Sequence, residues 1–229
     1  MPNKDGTDIL MQICTDSGAV EAECQTQVDA SDTFANGFSN GTFFEVESFG
    51  FGMKIDEQDA TKDTVANSNG QQGNKGAPIK DKDKKKDKTG AFMRWKTASP
   101  ADLKTMKRYP VRMDEFDITR LYDAASPVLF KYCCDSGSFK TATLIKRKDV
   151  GGTKLQGFLR LEFSDILVTH IGWQNEEVVK EKFKFVFRKI VVRYCATAHR
   201  KGSPVANLQE MPSVTWSYET EVVNSQQSL

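Results

Sequence analysis

An alternation of aromatic and basic residues constrains the fold of this chain more than any other feature. Phe183, Phe185 and Phe187 stand at every second position, and Lys182, Lys184 and Arg188 lie among them. Successive side chains of a β-strand point to opposite faces of a sheet, so a period of two is typical of a strand with one buried face. The pattern predicts a long strand in a mainly β protein.

Beyond Phe187 the apolar positions change parity. Ile190, Val192 and Tyr194 occupy the other set of alternate positions, and the segment Phe158–Ile171 changes parity in a similar way. A shift of one residue in a two-residue period indicates a bulge or bend, here between Phe187 and Ile190. Long strands that bend in this way turn a sheet into a barrel or a sharply folded sandwich.

The segment Asp114–Lys148 predicts a strand, a short helix and a second strand. Phe116–Leu121 alternates loosely between apolar and polar residues, and Phe139–Arg147 reads as the returning strand. Between them, Ser126 and Pro127 are typical of a helix start. The serine oxygen can accept a hydrogen bond from a free backbone N–H, and proline at the first helical position removes no required donor.

The predicted helix has an apolar stripe and a glycine at its end. The stripe is expected to pack on the sheet and consists of Val128, Leu129, Tyr132 and Cys133. Gly137 follows the helix, and glycine favours the left-handed backbone that ends many helices.

One segment does not fit a packed core. Residues 54–90 have no periodic apolar face and include the run from Lys80 to Lys88, which consists only of lysine and aspartate. We interpret 1–229 as a single domain with a flexible Lys/Asp-rich insertion at about 54–90 and a short helix near 100–107. A nucleic-acid-binding loop is a weaker interpretation, because no aromatic residues or arginines interleave with the lysines.

Composition and motifs argue against catalysis and against membrane insertion. The 32 basic and 31 acidic residues leave a net charge of +1, and no apolar run approaches the ~20 residues of a membrane helix. The start of the chain lacks a classical secretory signal, and five cysteines, an odd number, favour reduced thiols. Metal-ligand spacing, a phosphate loop and a nucleophile motif are all missing, so we predict no catalytic, metal or cofactor-binding residues and no enzyme activity.

Several segments, in order, resemble one known family. The sequence FDITRLYDAASPVLFKYCC contains a D-x-A-S-P helix start, and the segments VESFGFG, FLRLEFSDILVTHI, EKFKFVFRKIVVRY and TWSY resemble further family strands. Together they resemble the haemolysin-coregulated (Hcp) tube proteins of type VI secretion systems. The motif positions, whose role in that family is structural, are Phe49, Gly50, Asp123, Ser126, Pro127 and Trp216.

The resemblance implies a fold and an assembly. The fold is an antiparallel β-barrel or two-sheet sandwich with one flanking α-helix. Six copies form a ring, and rings stack into a hollow tube that sheath contraction expels and that can carry small effectors. The implied partners are further copies and the sheath, spike and baseplate proteins, with no nucleic acid and no membrane. The protein would be cytoplasmic before firing and secreted without a classical signal peptide. The alternative is the inner tube of a related contractile injection particle or phage tail.

A polar loop before the TFFEVESFGF strand is the candidate contact between rings. The loop Thr26–Asn40 contains Phe34 and Phe38 among Gly, Asn, Ser and Asp residues. In the resembled family the loop at this position contributes to ring stacking. The two phenylalanines either contact the neighbouring ring, which we prefer slightly, or anchor the loop on their own subunit.

Overall fold

The computed structural model describes residues 7–29, 31–55, 111–149, 155–198, 207–218 and 224–226. The chain divides into two compact units: Met1–Gly52 with Asp114–Leu229 forms the main unit, and Met53–Met113 forms the other. Residues 56–90 of the predicted insertion and the predicted helix over 100–107 lie outside the described residues. The single-domain interpretation stays a prediction.

Within the described residues the structure is mainly antiparallel β with one α-helix, as predicted. The helix α1 spans Ser126–Cys134, and a short 3-10 helix spans Thr33–Ala35. No helix of the described part is long and apolar enough to cross a membrane. The strands are β1 (Thr7–Thr15), β2 (Gly18–Ala19), β3 (Phe44–Glu45), β4 (Ser48–Gly50), β5 (Met53–Ile55), β6 (Val111–Met113), β7 (Phe116–Leu121), β8 (Ser138–Asp149), β9 (Leu155–Asn175), β10 (Val179–Ala198), β11 (Asn207–Glu210), β12 (Ser213–Ser217) and β13 (Asn224–Gln226).

The strands of the main unit close into a barrel. Antiparallel pairing runs from β1 through β8, β9 and β10 to β7. The segment containing β3 and β4 closes the gap, because β3 pairs with β1 and β4 pairs with β7. Between those strands, Val46 N donates to Ile9 O and Glu47 N to Thr119 O, each at 2.9 Å. In the second unit, β5 and β6 form an antiparallel pair.

The change of parity predicted in β10 is confirmed. Phe183, Phe185 and Phe187 are buried, and the next buried residue is Ile190. The two halves of the strand also have different neighbours. Residues 180–185 pair with β7 and complete the barrel, whereas residues 189–192 pair with β12. The bend therefore divides β10 into a barrel half and a half that extends the sheet.

The neighbouring strand β9 bends at the same level. Phe187 pairs with Ile166 and Lys189 with Ser164, and between these two pairs Asp165 has a φ of 54°. Aspartate tolerates this left-handed conformation better than most residues. The register shift between β9 and β10 lies elsewhere, between Lys184 and Phe185. The faces of both strands therefore switch at Asp165, four residues before Thr169, where the pairing shifts its register.

Aromatic rings fill the interior of the barrel. Phe116 lies at the centre, with ring centroids of Phe49 at 5.5 Å, Phe163 at 4.9 Å and Phe185 at 5.1 Å. Such pairs contribute about 0.5–1.5 kcal/mol each beyond the burial of their area. The core thus joins β4, β7, β9 and β10, the strands on both sides of the closure.

The end of α1 differs from the sequence prediction. Leu129 is buried as predicted, and the other three members of the apolar stripe are half-buried. The left-handed residue after the helix is Ser136, with a φ of 51°, and not Gly137. Gly137 is needed for another reason: a Cβ at this position would lie 2.9 Å from the ring of Tyr132. That ring cannot move aside easily, because it stacks on Phe139 at 4.1 Å.

Gly157 on β9 gives a test of how the loop packs on the barrel. A Cβ added there would collide with the Cβ of Phe34, which no side-chain rotation can move. We expect Gly157→Ala to lower the free energy of unfolding by about 1–3 kcal/mol, as overpacking does. Gly172→Ala on the same strand is the control, because its nearest neighbour is the movable end of the His170 side chain. Equal urea midpoints for the two variants would contradict this packing.

Candidate functional site

Two buried arginine–carboxylate pairs join neighbouring strands of the main unit. Arg120 on β7 stands directly opposite Glu181 on β10, and both side chains are fully buried, with 2.8 Å between Nη2 and Oε1. Arg147 on β8 stands opposite Asp8 on β1 and contacts both of its carboxylate oxygens. Buried charges of this kind need close partners, because desolvation strongly disfavours an unpaired ion.

Arg120 also organises the start of α1. Its Nη1 donates to Asp123 Oδ1 at 2.7 Å, and its Nη2 donates to Ser126 Oγ at 2.9 Å. The guanidinium lies 4.0 Å from the ring centroid of Phe44 on β3, within cation–π range. One buried cation on β7 therefore contacts β10, β3 and the helix start.

The helix cap is different from the one predicted at Ser126. The serine side chain makes no capping bond to the helix, and the residue before it, Ala125, occupies the cap position. Ser126 Oγ instead accepts from the backbone N–H of Asp123 at 3.2 Å, in addition to Arg120. Asp123 holds the turn, since its Oδ1 accepts from Ala125 N at 2.9 Å. Pro127 stands in the first turn of α1, as predicted.

The second oxygen of Glu181 fixes an exposed tryptophan. Trp173 Nε1 donates to Glu181 Oε2 at 2.8 Å, although the side chain of Trp173 is 47% exposed. The indole ring lies between Tyr122, 5.7 Å away in edge-to-face geometry, and Phe130 of α1, 5.3 Å away. A buried charge pair thus sets the position of a surface aromatic cluster.

The second pair, Arg147–Asp8, holds the long loop after β2. Arg147 Nη1 donates to the backbone oxygen of Gln27 at 3.2 Å. Further along the loop, Asp32 Oδ2 accepts from Gly157 N at 2.8 Å, and Arg160 Nη1 donates to the backbone oxygen of Asn36 at 3.1 Å. The loop is therefore bound to β8 and β9 through backbone and charged groups.

The structure places Phe34 and Phe38 on their own subunit. Phe34 is only 2% exposed, in the 3-10 helix over β9, and the Arg193 guanidinium lies 4.9 Å from its ring. Phe38 is partly buried and packs on Phe43, with ring centroids 5.4 Å apart. The preference for a neighbouring-ring contact is therefore wrong for Phe34, whose side chain is already enclosed. A role of the loop in stacking stays a prediction.

The remaining motif positions lie in strands. Phe49 pairs with Ile118, and Gly50 pairs with Asp117, whose carboxylate occupies the space that a Cβ at Gly50 would need. Trp216 is buried in β12 against Phe187, with ring centroids 6.5 Å apart. The structure brings Asp123, Ser126 and Pro127 together at one helix start and leaves Trp216 on a separate strand.

A groove of about 500 Å³ lies between the segment 23–25 and strands β1, β3 and β7. Its walls are rich in carboxylates, but most of them already have partners. Asp8 and Asp123 bind arginines, Glu47 lies 3.2 Å from Lys180 Nζ, and Glu45 accepts from Thr26 Oγ1 at 2.6 Å. Ion pairs and hydrogen bonds thus hold four of the five carboxylates that line the groove.

Burial affects two thiols, that of Cys24 beside the groove and that of Cys195 in β10. Burial raises the pKa of the Cys24 thiol and that of the Cys195 thiol above the ordinary value for cysteine. A raised pKa leaves less of the reactive thiolate at neutral pH. Among the described residues, no group of histidines, cysteines and carboxylates has the arrangement of a metal site.

Comparison with known families accounts for this architecture. The family model described as "Type VI secretion system effector, Hcp" matches residues 72–194, more than half of the chain. The chain belongs to the Hcp family. No curated protein matches it.

Two solved structures share the Hcp fold. One, described as a type six secretion system protein, is 15% identical, with a TM-score of 0.57 over 95% of this chain and 99% of the other. Hcp1 from Salmonella typhimurium is 16% identical, with a TM-score of 0.54 over 96% of this chain and 99% of the other. At this identity the similarity establishes the fold.

Membership of the Hcp family fixes the general role. Hcp proteins are structural tube proteins of type VI secretion and not enzymes. They are also secreted proteins.

The buried charges are not among the features predicted from the sequence. Arg120 occupies the same alternate positions as Phe116 and Ile118, and Glu181 shares its parity with Phe183. Such a pair is indicated when two strands each carry one charged residue at an otherwise apolar alternate position and the two charges have opposite signs. Trp173 had no comparable signal, because its partner Glu181 is recognisable only once the pairing is known.

The Arg120–Glu181 pair makes a direct stability prediction. Glu181→Met leaves Arg120 buried without its main partner, and we expect the free energy of unfolding to fall by about 3–5 kcal/mol. Adding Arg120→Met removes the unpaired charge, so the double variant should be destabilised by clearly less than the sum of the single variants. Urea unfolding of the four proteins measures this coupling.

The control for that cycle is an exposed pair in the same sheet. Lys184 Nζ lies 3.9 Å from Glu115 Oε2, and both side chains are largely exposed. Lys184→Met should change the free energy of unfolding by about 1 kcal/mol or less. Additive effects at Arg120 and Glu181, or an effect no larger than that of Lys184→Met, would contradict the role of the buried pair.

Proposed function

We propose that this Hcp protein forms six-membered rings that stack into the hollow inner tube of a type VI secretion system. Sheath contraction expels the tube, which can carry small effectors. The family match over residues 72–194 carries this proposal, and the closed barrel supports it. The number of copies per ring comes from the resemblance of the sequence motifs to Hcp.

The physical features of the main unit suit a repeated building block. Within the described residues, β1, β8, β9, β10 and β7 close into a barrel through β3 and β4, so each of these five strands has pairing partners on both sides. Cyclic assembly then uses the same pair of surfaces at every contact, so identical subunits can close a ring. Sheath, spike and baseplate proteins are the proposed partners of the finished tube, and the protein is cytoplasmic before firing.

The loop between β2 and β3 keeps its proposed role in stacking, with a different physical basis. Phe34 and Phe38 act as anchors that hold the loop on its own barrel. The exposed residues of the loop Thr26–Asn40, including Gln27, Ser31 and Ser39, are then available to a neighbouring ring. The match to a type VI family favours this system over other contractile particles.

The test of the proposed function is the assembly state of the purified protein. Light scattering over a wide concentration range should give a mass of six subunits, and negative-stain images should show rings with a central hole. A monomer at every concentration, with no rings in the images, would contradict the proposed function.

A further inference from the structure

Two surface features of the main unit adjoin each other. The first is the aromatic cluster of Tyr122, Phe130 and Trp173, whose side chains are 43–47% exposed. The second is the groove of about 500 Å³ beside β1, β3 and β7. Tyr122 belongs to both, since it lines the groove and its ring contacts that of Trp173, and its neighbour Leu121 lines the groove as well. The two features therefore form one continuous surface, with an aromatic end and a groove.

The aromatic cluster is held in place before any ligand arrives. The indole N–H of Trp173 is bonded to buried Glu181, and its ring contacts both Tyr122 and Phe130. The backbone N–H of Tyr122 donates to Val179 O at 2.9 Å. Binding on this cluster requires little ordering of side chains, and ordering is a main entropic penalty of binding.

The cluster presents mainly apolar ring surface to a ligand. The indole N–H of Trp173 is already bonded, and Phe130 has no polar side-chain atom. The remaining polar group of the three side chains is the Tyr122 hydroxyl, which can donate to a carbonyl oxygen. A polyproline II helix makes no internal hydrogen bonds, so its carbonyl oxygens are free to accept. The chemistry of the cluster therefore suits a segment in this conformation.

The spacing of the rings also suits such a helix. The centroid of the Trp173 ring lies 5.7 Å from that of Tyr122 and 5.3 Å from that of Phe130. Two residues of a polyproline II helix advance by about 6 Å. Each step from one ring to the next therefore corresponds to one dipeptide. Aromatic-lined surfaces are a recurring way of binding proline-rich segments.

The groove favours a positively charged ligand. Among the described residues its wall contains five carboxylates and no lysine or arginine, the carboxylates being those of Asp8, Glu23, Glu45, Glu47 and Asp123. Three nearby cations, Arg120, Arg147 and Lys180, pair with three of these carboxylates. Two of the cations are shared with a further carboxylate each, Glu181 and Glu176. Seven carboxylates therefore stand against three cations around the groove.

Other charges near the groove do not reverse this balance. Lys146 and Lys148 of β8 pair with residues of β1 that line the groove, and counting both gives seven carboxylates against five cations. The pKa of the Cys24 thiol agrees with a negative environment, because burial raises it most and the charges of Glu45 and Asp8 raise it further. Charge complementarity thus favours a lysine or arginine side chain in the groove.

We propose that this surface binds a proline-rich segment of a different protein. The prolines lie on the aromatic cluster, and a basic residue at one end of the segment enters the groove. A preformed polyproline helix and a preformed aromatic surface both lose little entropy on binding, so a modest contact area suffices. The inference does not rest on ring formation, and its failure leaves the proposed function intact.

A charged polyproline peptide tests the proposal on the full chain. The probe is a synthetic peptide with blocked ends in which two arginines precede eight prolines, and isothermal titration calorimetry measures its affinity. We expect saturable binding, together with a shift of the Trp173 indole resonance in NMR spectra of protein labelled at tryptophan nitrogen. A peptide with two glutamates in place of the arginines should bind about tenfold more weakly, a difference of about 1.4 kcal/mol.

Substitutions in the groove and in the cluster test the two parts of the site. Glu23→Gln with Glu47→Gln removes two exposed carboxylates from the groove wall, and it should weaken binding of the arginine peptide about tenfold while the melting temperature stays within a few degrees. Glu21→Gln is the matched control, because Glu21 is exposed in the same segment but does not line the groove. Phe130→Ser should weaken both peptides, whereas Val186→Ser, at an exposed apolar position of β10 outside the cluster and the groove, should weaken neither.

The remaining outcomes overturn the proposal. The wild type would then fail to bind the arginine peptide, or would bind the arginine and glutamate peptides equally. Equal binding of a peptide in which glycine and serine replace the prolines would show that the groove binds cations without the aromatic cluster. Binding that is lost as the protein concentration rises would show that a second copy covers the surface. If Phe130→Ser does not fold, the three peptides on the wild type decide alone.

Discussion

The buried pair of Arg120 and Glu181 is the interaction on which the rest of the structure depends. The two residues face each other where β7 pairs with β10, and the β7–β10 pairing is one of those that complete the barrel. Both ions are buried, so hydrogen bonds from the protein must compensate for the water that each ion has lost. Arg120 meets this need through Asp123 and Ser126, and Glu181 meets it through Trp173. Burial removes water from both ions, and the groups that replace it belong to the helix start and to the surface aromatic cluster. The charge pair therefore fixes the position of both.

The bend in β10 explains how one strand serves two purposes. Before the bend its residues close an aromatic core with β7, and after it they carry β12 and an apolar face that is only partly covered. A straight strand would keep one face buried throughout, since its side chains alternate strictly. The left-handed residue Asp165 on β9 lets both strands change face together. The partly covered face beyond the barrel is a consequence of this geometry.

Much of the fold could be predicted from alternation alone. The phenylalanines of β10, the parity change before Ile190 and the strand–helix–strand unit around Ser126 are all confirmed. The buried charges could not be assigned, because the register that sets Arg120 against Glu181 depends on residues 61 apart in sequence. Phe34 was misjudged for a related reason. The sequence of a polar loop does not show whether its phenylalanine packs on its own barrel or on a neighbouring copy. Phe34 packs on its own barrel because Gly157 has no side chain and leaves room for it.

The buried carboxylate of Glu181 holds the exposed indole of Trp173 in place. Hydrogen–deuterium exchange of the indole proton of Trp173, followed by NMR on protein labelled at tryptophan nitrogen and assigned with Trp173→Phe, tests it most directly. The indole is nearly half exposed, but its proton is bonded to Glu181 at 2.8 Å. We predict that this proton exchanges much more slowly than that of a free indole and that Glu181→Met removes the protection. Exchange at the free rate in the wild type, or protection unchanged in Glu181→Met, would contradict the account.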